Sequence, residues 1–255
     1  MNRVWPHGGK PAVADIFGSW RGQPTRFAAQ MLPLWDTQKR RRAPVITVML
    51  ILGCLGVFGY EVMLTLQEGK DAQAFLTGNA LVPSRLIAGW ADENQWLTLI
   101  THMFLHGGVA HVLGNCWFLW IFGNKVEDRL GSFLYLMFYV ACGLGAAGLQ
   151  ILVDPSASVP MLGASGAISG VLGAYFVLFP TAWIVTLVPW IVPIVPVPAF
   201  IFLILWFALQ AVSGVGEMMS GNAAGGGVAW WAHAGGFVTG VCLILWAKSN
   251  RWVRR

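Results

Sequence analysis

The feature that most constrains this chain is a set of long apolar runs that almost no charge interrupts. Val45–Leu66 carries one charged residue, Glu61, and Ser132–Val153 carries none. A helix crosses the hydrocarbon core of a bilayer with about 20 apolar residues, and both runs reach that length. Further apolar runs lie at roughly 109–123, Gly166–Phe179, Ala199–Val212 and Val228–Ala247, which makes six. Composition agrees, since 56% of the 255 residues are hydrophobic and 11% are charged, whereas about a quarter of a soluble domain is charged. Mean hydropathy is +0.64. These values argue against a soluble enzyme or a disordered chain. The expected fold is an all-α polytopic membrane protein, a bundle of six transmembrane helices in a lipid bilayer.

The basic residues set the direction. With six spans and both termini on the cytoplasmic side, 14 of the 16 Lys and Arg residues fall inside, including Lys39–Arg42, Lys125, Arg129, Lys248 and Arg255. Only Lys70 and Arg85 fall outside. That is the positive-inside pattern. The net charge of +5 is therefore a topology signal and no sign of nucleic acid as a partner. The organisation expected is a polar, basic N-terminal arm (1–43), a six-span domain (44–248) and a basic tail (249–255), with no cleavable signal in the arm.

Three segments do not read as simple spans. Residues 67–95 read as a long outer loop, and Trp96–His106 as an amphipathic piece at the outer surface. The stretch 181–198 contains Pro189, Pro193, Pro196 and Pro198, which forbid a regular helix, so an extended inner-face connection is expected. Cys54, Cys116, Cys142 and Cys242 sit in apolar runs without metal-ligand spacing and read as packing residues.

Polar side chains in hydrocarbon are costly and need a reason. His111 and Asn115, four apart, share one helical face. They read either as interhelical glue or as two donors aimed at one locus. Ser165 lies in Gly163-Ala164-Ser165-Gly166, followed by Gly170 and Gly173, a stripe suited to close helix packing. Pro180 at the inner face is 15 residues further on, roughly 22 Å of helix at 1.5 Å per residue. This puts Ser165 a few Å below the outer surface, at a helix N-terminus whose free amides favour negative charge. His233 precedes Gly236 and Gly240, a second glycine face. Two such faces in contact would bring Ser165 and His233 within reach, the arrangement that activates a hydroxyl nucleophile. Asp154, Glu217 and Glu61 read as outer surface charge, leaving a Ser–His dyad without an acid.

These residues resemble the rhomboid intramembrane serine proteases of the small bacterial six-span type, over about Val45–Ala247. The resemblance rests on His111-x-x-x-Asn115, Gly163-x-Ser165-Gly166 and Ala232-His233-x-x-Gly236-x-x-x-Gly240, with His102 and His106 at matching spacing. It implies Ser165 as nucleophile, His233 as general base and then acid, and His111, Asn115 and the Ser165 amide as oxyanion donors. It also implies structural roles for His102, His106 and Glu127. The substrates implied are transmembrane proteins, the location a multi-pass site in a bacterial cytoplasmic membrane, and the chemistry free of cofactor or metal. Two positions depart from the pattern: Leu97 stands where many relatives carry Arg, and Ser169 where some carry Tyr. The Gly-rich stretch Gly221–Gly227 reads as a mobile cap or an ordinary loop. One alternative is a non-catalytic rhomboid-like factor that binds membrane proteins for quality control. Another is a metal transporter using the histidines, for which neither an HExxH motif nor a mid-membrane acidic ligand is present. Oligomeric state has no signature in the sequence.

Overall fold

A computed structural model describes residues 31–254, apart from 68–69, 189–191 and 221–229. The described chain opens with strand β1 (Leu32–Asp36) and the long helix α1 (Val45–Leu66). Three short helices follow: α2 (Lys70–Asn79), α3 (Pro83–Ala88) and α4 (Glu93–Thr101). Next, α5 (Val109–Phe118), a π-helical turn (Leu119–Gly123) and α6 (Asn124–Leu130) run on as one rod, and α7 (Ser132–Val153) and α8 (Ser165–Leu178) come after it. A hairpin of β2 (Trp183–Val188) and β3 (Val192–Pro198) leads to α9 (Ala199–Ser220) and α10 (Trp230–Ser249).

The protein is mostly helical, an integral multi-pass membrane protein. Among the described residues α1, α7 and α10 are each long and apolar enough to cross a bilayer. The pair 93–104 and 109–130 passes the same criterion together but is bent by 80°. That bend separates the amphipathic stretch expected at Trp96–His106 from the span after it. Helix α8 and residues 199–209 of α9 are apolar but shorter. Length and composition thus give three spans, or four with the bent pair, and do not by themselves reach the expected six.

The expectation of an all-α fold needs one addition. Within the proline-rich connection at 181–198, residues 183–188 and 192–198 are extended, and with β1 they form an antiparallel sheet of order β1-β2-β3. Ile184, Val185 and Thr186 favour the central strand, and Pro196 and Pro198 are tolerated because β3 lies at an edge. Its other edge is Leu32–Asp36, which belongs to the arm expected to be polar. Trp117 Nε1 donates to the Pro33 carbonyl at 2.6 Å, fastening β1 to α5 as well.

At this same end Glu127 serves α1. Its carboxylate accepts the Ile46 and Thr47 amides at 2.9 and 2.8 Å, the Thr47 hydroxyl at 2.8 Å and the Ser132 hydroxyl at 2.7 Å. The first amides of a helix lack intrahelical acceptors, and a carboxylate there also meets the positive end of the dipole. The structural role implied for Glu127 is thus that of an N-terminal cap supplied from another helix.

The opposite end is held by short links. Leu81 and Met161 exchange backbone hydrogen bonds of 3.2 and 2.7 Å. Arg85 donates to the Thr77 and Ala80 carbonyls at 2.5 and 2.7 Å, closing the C-terminal end of α2. Asp92 caps α4 by accepting the Asn94 amide at 2.9 Å, and that amide holds its carboxyl below the usual carboxylate range.

Candidate active site

Helices α7, α8 and α10 pack against one another, and glycine permits the closeness. A Cβ on Gly166 would stand 2.7 Å from the Ala146 Cβ. One on Gly236 would collide with the Gly166 carbonyl, one on Gly240 with the Gly170 carbonyl, and one on Gly170 with Cys142. One on Gly173 would meet the Phe237 carbonyl. Backbone therefore faces backbone along α8 and α10, over the two glycine stripes.

This contact brings together the serine at the first residue of α8 and the histidine in the first turn of α10. Ser165 Oγ and His233 Nε2 are 2.8 Å apart. His233 is buried, 8% exposed, and Ser165 is half-buried. The rings of Trp206 and Trp230 flank the imidazole at 6.1 and 6.0 Å between centroids. Gln150 on α7 accepts the Ala232 amide at 3.2 Å, which pins the start of α10 beside the serine. Ser169 is turned elsewhere: its hydroxyl donates to the Ser165 carbonyl at 2.7 Å, a local bond within α8. Its position is buried as well.

The turn ahead of Ser165 depends on Gly163, whose φ of +115° is a conformation that side chains disfavour. Its amide donates to the His102 carbonyl at 2.8 Å, so His102 acts on the turn through its backbone. Its ring Nδ1 lies 2.7 Å from the Thr98 carbonyl. A Cβ at Gly163 would lie 2.7 Å from His111 Nε2 and 3.5 Å from Asn115 Nδ2. Both side chains of α5 therefore face the backbone two residues before Ser165. Asn115 Nδ2 is buried without a hydrogen-bond partner among the described residues, a donor left available. The amides of the first turn of α8 have no intrahelical acceptor either. The side chains of His111 and Asn115 and the first amides of α8 thus lie about the turn at Gly163 that leads into Ser165.

His106 packs edge-on against His111 with ring centroids 5.1 Å apart. Behind it the structure corrects the reading of Glu61 as outer surface charge. Glu61 is 5% exposed and accepts the His106 amide at 3.2 Å. Its depth along α1 was readable, but the face it turns inward is set by the chain crossing at His106. Asp154 is half-buried and accepts the Ser156 hydroxyl at 2.9 Å. Leu97 is exposed, and Trp96 Nε1 donates to the Trp90 carbonyl at 2.8 Å. The Gly221–Gly227 stretch and the Glu217 side chain lie outside the described residues. Among the described residues no group of three or more His, Cys, Asp or Glu is arranged to hold a metal ion.

Two residues with structural consequence carry no obvious signal in the sequence, Asp36 and Tyr175. They meet at the other end of α8, with Tyr175 donating to Asp36 at 2.6 Å. The one hint is Leu32-Pro33-Leu34-Trp35, an apolar run able to pair as a strand and carry Asp36 inward.

If Asn115 stabilises an oxyanion, Asn115→Ala lowers kcat about 10²–10³-fold, the usual cost of one lost donor. The KM should hardly move, because that bond forms only in the transition state. Steady-state cleavage in detergent checks this.

The fold and site define a class: a membrane-embedded helical bundle with a serine and a histidine joined across two glycine-faced helices. The chain belongs to the rhomboid family, for the family model of the Rhomboid domain matches residues 93–250. Among similar proteins, "Rhomboid protease GluP" of Bacillus subtilis is 36% identical over 105 residues, covering 39% of this chain and 20% of that protein. "Rhomboid-like protein 11, chloroplastic" of Arabidopsis thaliana is 32% identical over 157 residues, covering 61% of this chain and 53% of the relative. "Putative rhomboid protease YdcA" of Bacillus subtilis is 29% identical over 104 residues, covering 37% of this chain and 52% of the relative. The chain spans between a fifth and about half the length of these relatives.

Proposed function

We propose that this protein is an intramembrane serine endopeptidase that hydrolyses peptide bonds in or near transmembrane segments of other membrane proteins. The observation that carries the reading is the 2.8 Å separation of Ser165 Oγ and His233 Nε2 at the N-terminus of a short apolar helix. The names of the bacterial relatives, two of which are called proteases, support it.

In this reading His233 Nε2 takes the Ser165 proton as Oγ attacks the scissile carbonyl. His111, Asn115 and the Ser165 amide receive the oxyanion of the tetrahedral intermediate. His233 then protonates the leaving amine, and water hydrolyses the acyl-enzyme by the same route. No cofactor or metal is needed, and no acid completes a triad. Six spans fit best, with α8 as a short fourth member and α9 as the fifth, residues 44–248 forming the catalytic domain and both termini cytoplasmic. The bond-cutting end then faces the outer aqueous phase, which supplies water.

The test is cleavage of a reporter single-span protein by the purified full chain in detergent. Cutting by the unsubstituted protein and its loss in Ser165→Ala are expected. Full activity in Ser165→Ala, or binding of the reporter without any cutting by the unsubstituted chain, contradicts the proposal.

A further inference from the structure

The end of the bundle remote from Ser165 contains a linkage that the hydrolytic chemistry does not use. Asp36, the last residue of β1, holds two partners at once. Its Oδ1 is 3.2 Å from Lys125 Nζ, and its Oδ2 accepts the Tyr175 hydroxyl at 2.6 Å. The Asp36 side chain is 4% exposed and that of Lys125 13%, so the junction is nearly sealed. β1 is held in place independently by its pairing with β2, by the Trp117 bond to Pro33 at 2.6 Å and by the Thr37 amide on the Trp183 carbonyl at 3.0 Å.

The two partners lie on different helical rods. Tyr175 is on α8, ten residues after Ser165, or about 15 Å along the axis. Lys125 is on α6, continuous with α5, ten residues after Asn115 and again about 15 Å away. Asp36 thus joins the rod bearing the nucleophile to the rod bearing the two side-chain oxyanion donors, at the end opposite the site.

We propose that Asp36 is a positioning residue. By joining Lys125 to Tyr175 it fixes the axial offset of α8 against α5–α6, and hence the distance from Ser165 to His111 and Asn115. The inference rests on the protease reading of the same site. It extends that reading by giving Leu32–Asp36 a function, as a strap through which the N-terminal segment acts on catalysis.

The physical argument is leverage. A helix is stiff along its axis, so an offset released at one end is felt at the other. Donors that bind an oxyanion act only in the transition state, so displacing them lowers kcat and spares KM. An error of 1 Å can cost about 10²-fold in rate.

The experiment compares Asp36→Asn and Tyr175→Phe with the unsubstituted full chain in detergent, with Thr47→Val as a control at the same end. Asp36→Asn takes away the charge that Lys125 pairs with but leaves an amide oxygen to accept from it, and Tyr175→Phe takes away only the hydroxyl, so both nearly keep the volume and loosen the junction. A fluorophosphonate endpoint counts competent sites, so kcat is expressed per titrated site and loss of folded protein drops out. The expected result is a fall in kcat of about tenfold in both variants with KM within about twofold, a partial form of the cost of misplacement. Slower fluorophosphonate labelling of Ser165 should accompany it. Thr47→Val, which loses a bond to Glu127, lowers thermal stability and leaves kcat per site unchanged. Unsubstituted per-site kcat in both Asp36→Asn and Tyr175→Phe overturns the inference and leaves the protease reading intact. An unsubstituted chain that neither cuts nor labels overturns that reading and this inference with it.

Discussion

His233→Ala lowers the rate of cleavage of a transmembrane reporter by about four orders of magnitude or more, and Ser165→Ala does the same. The reasoning is that a serine hydroxyl is a weak nucleophile until a base within hydrogen-bond reach takes its proton. His233 Nε2 lies within that reach of Ser165 Oγ, at 2.8 Å. Because the two act as one unit, the double variant should be no slower than either single one. Independent contributions would instead multiply. For Ser165→Ala, circular dichroism and thermal unfolding should stay near those of the unsubstituted protein, since Ser165 is half-buried and its truncation leaves little void.

The second large effect comes from a residue with no chemistry. Gly236→Val puts a branched side chain where even a Cβ would overlap the Gly166 carbonyl, with the Gly166 carbonyl carbon 2.9 Å away. Backbone on both sides cannot step aside as a side-chain tip can, so the helices must part. Overpacking of this kind costs about 3 kcal/mol or more. It also draws His233 away from Ser165, so activity should fall by about 10²-fold or more. Gly148→Ala on α7 is the matched control, because a Cβ there meets nothing within 4 Å. Thermal unfolding and cleavage, measured on the same preparations, separate the two variants.

How much of this was readable from the sequence follows from the range of each interaction. Helices α1 and α7 coincide with the apolar runs Val45–Leu66 and Ser132–Val153, because burial in lipid is decided residue by residue. The approach of α8 to α10 had a signal in glycines spaced at helical intervals, which state that something comes close without saying what. The contact of His111 and Asn115 with the Gly163 turn was only half legible. Their spacing shows a shared face, but its direction depends on how α5 meets the turn. The Asp36 junction was not legible at all. It joins residues separated by 139 positions, and Asp36 looks in the sequence like one more charge in a polar arm. Glu61 fails for a related reason: position along a helix gives depth, whereas burial depends on the His106 segment that crosses it. The sheet was visible only as a prohibition, since proline rules out a helix without naming the partner strand.

The central claim is that Ser165 is a nucleophile made reactive by His233. The most direct measurement is peptide mapping by mass spectrometry after treating the folded, full-length protein with a fluorophosphonate. The account predicts a single adduct on Ser165, absent in His233→Ala, and none on Ser169, whose hydroxyl is committed to the Ser165 carbonyl. A folded protein left unlabelled at Ser165, or labelled at Ser169 instead, would contradict it.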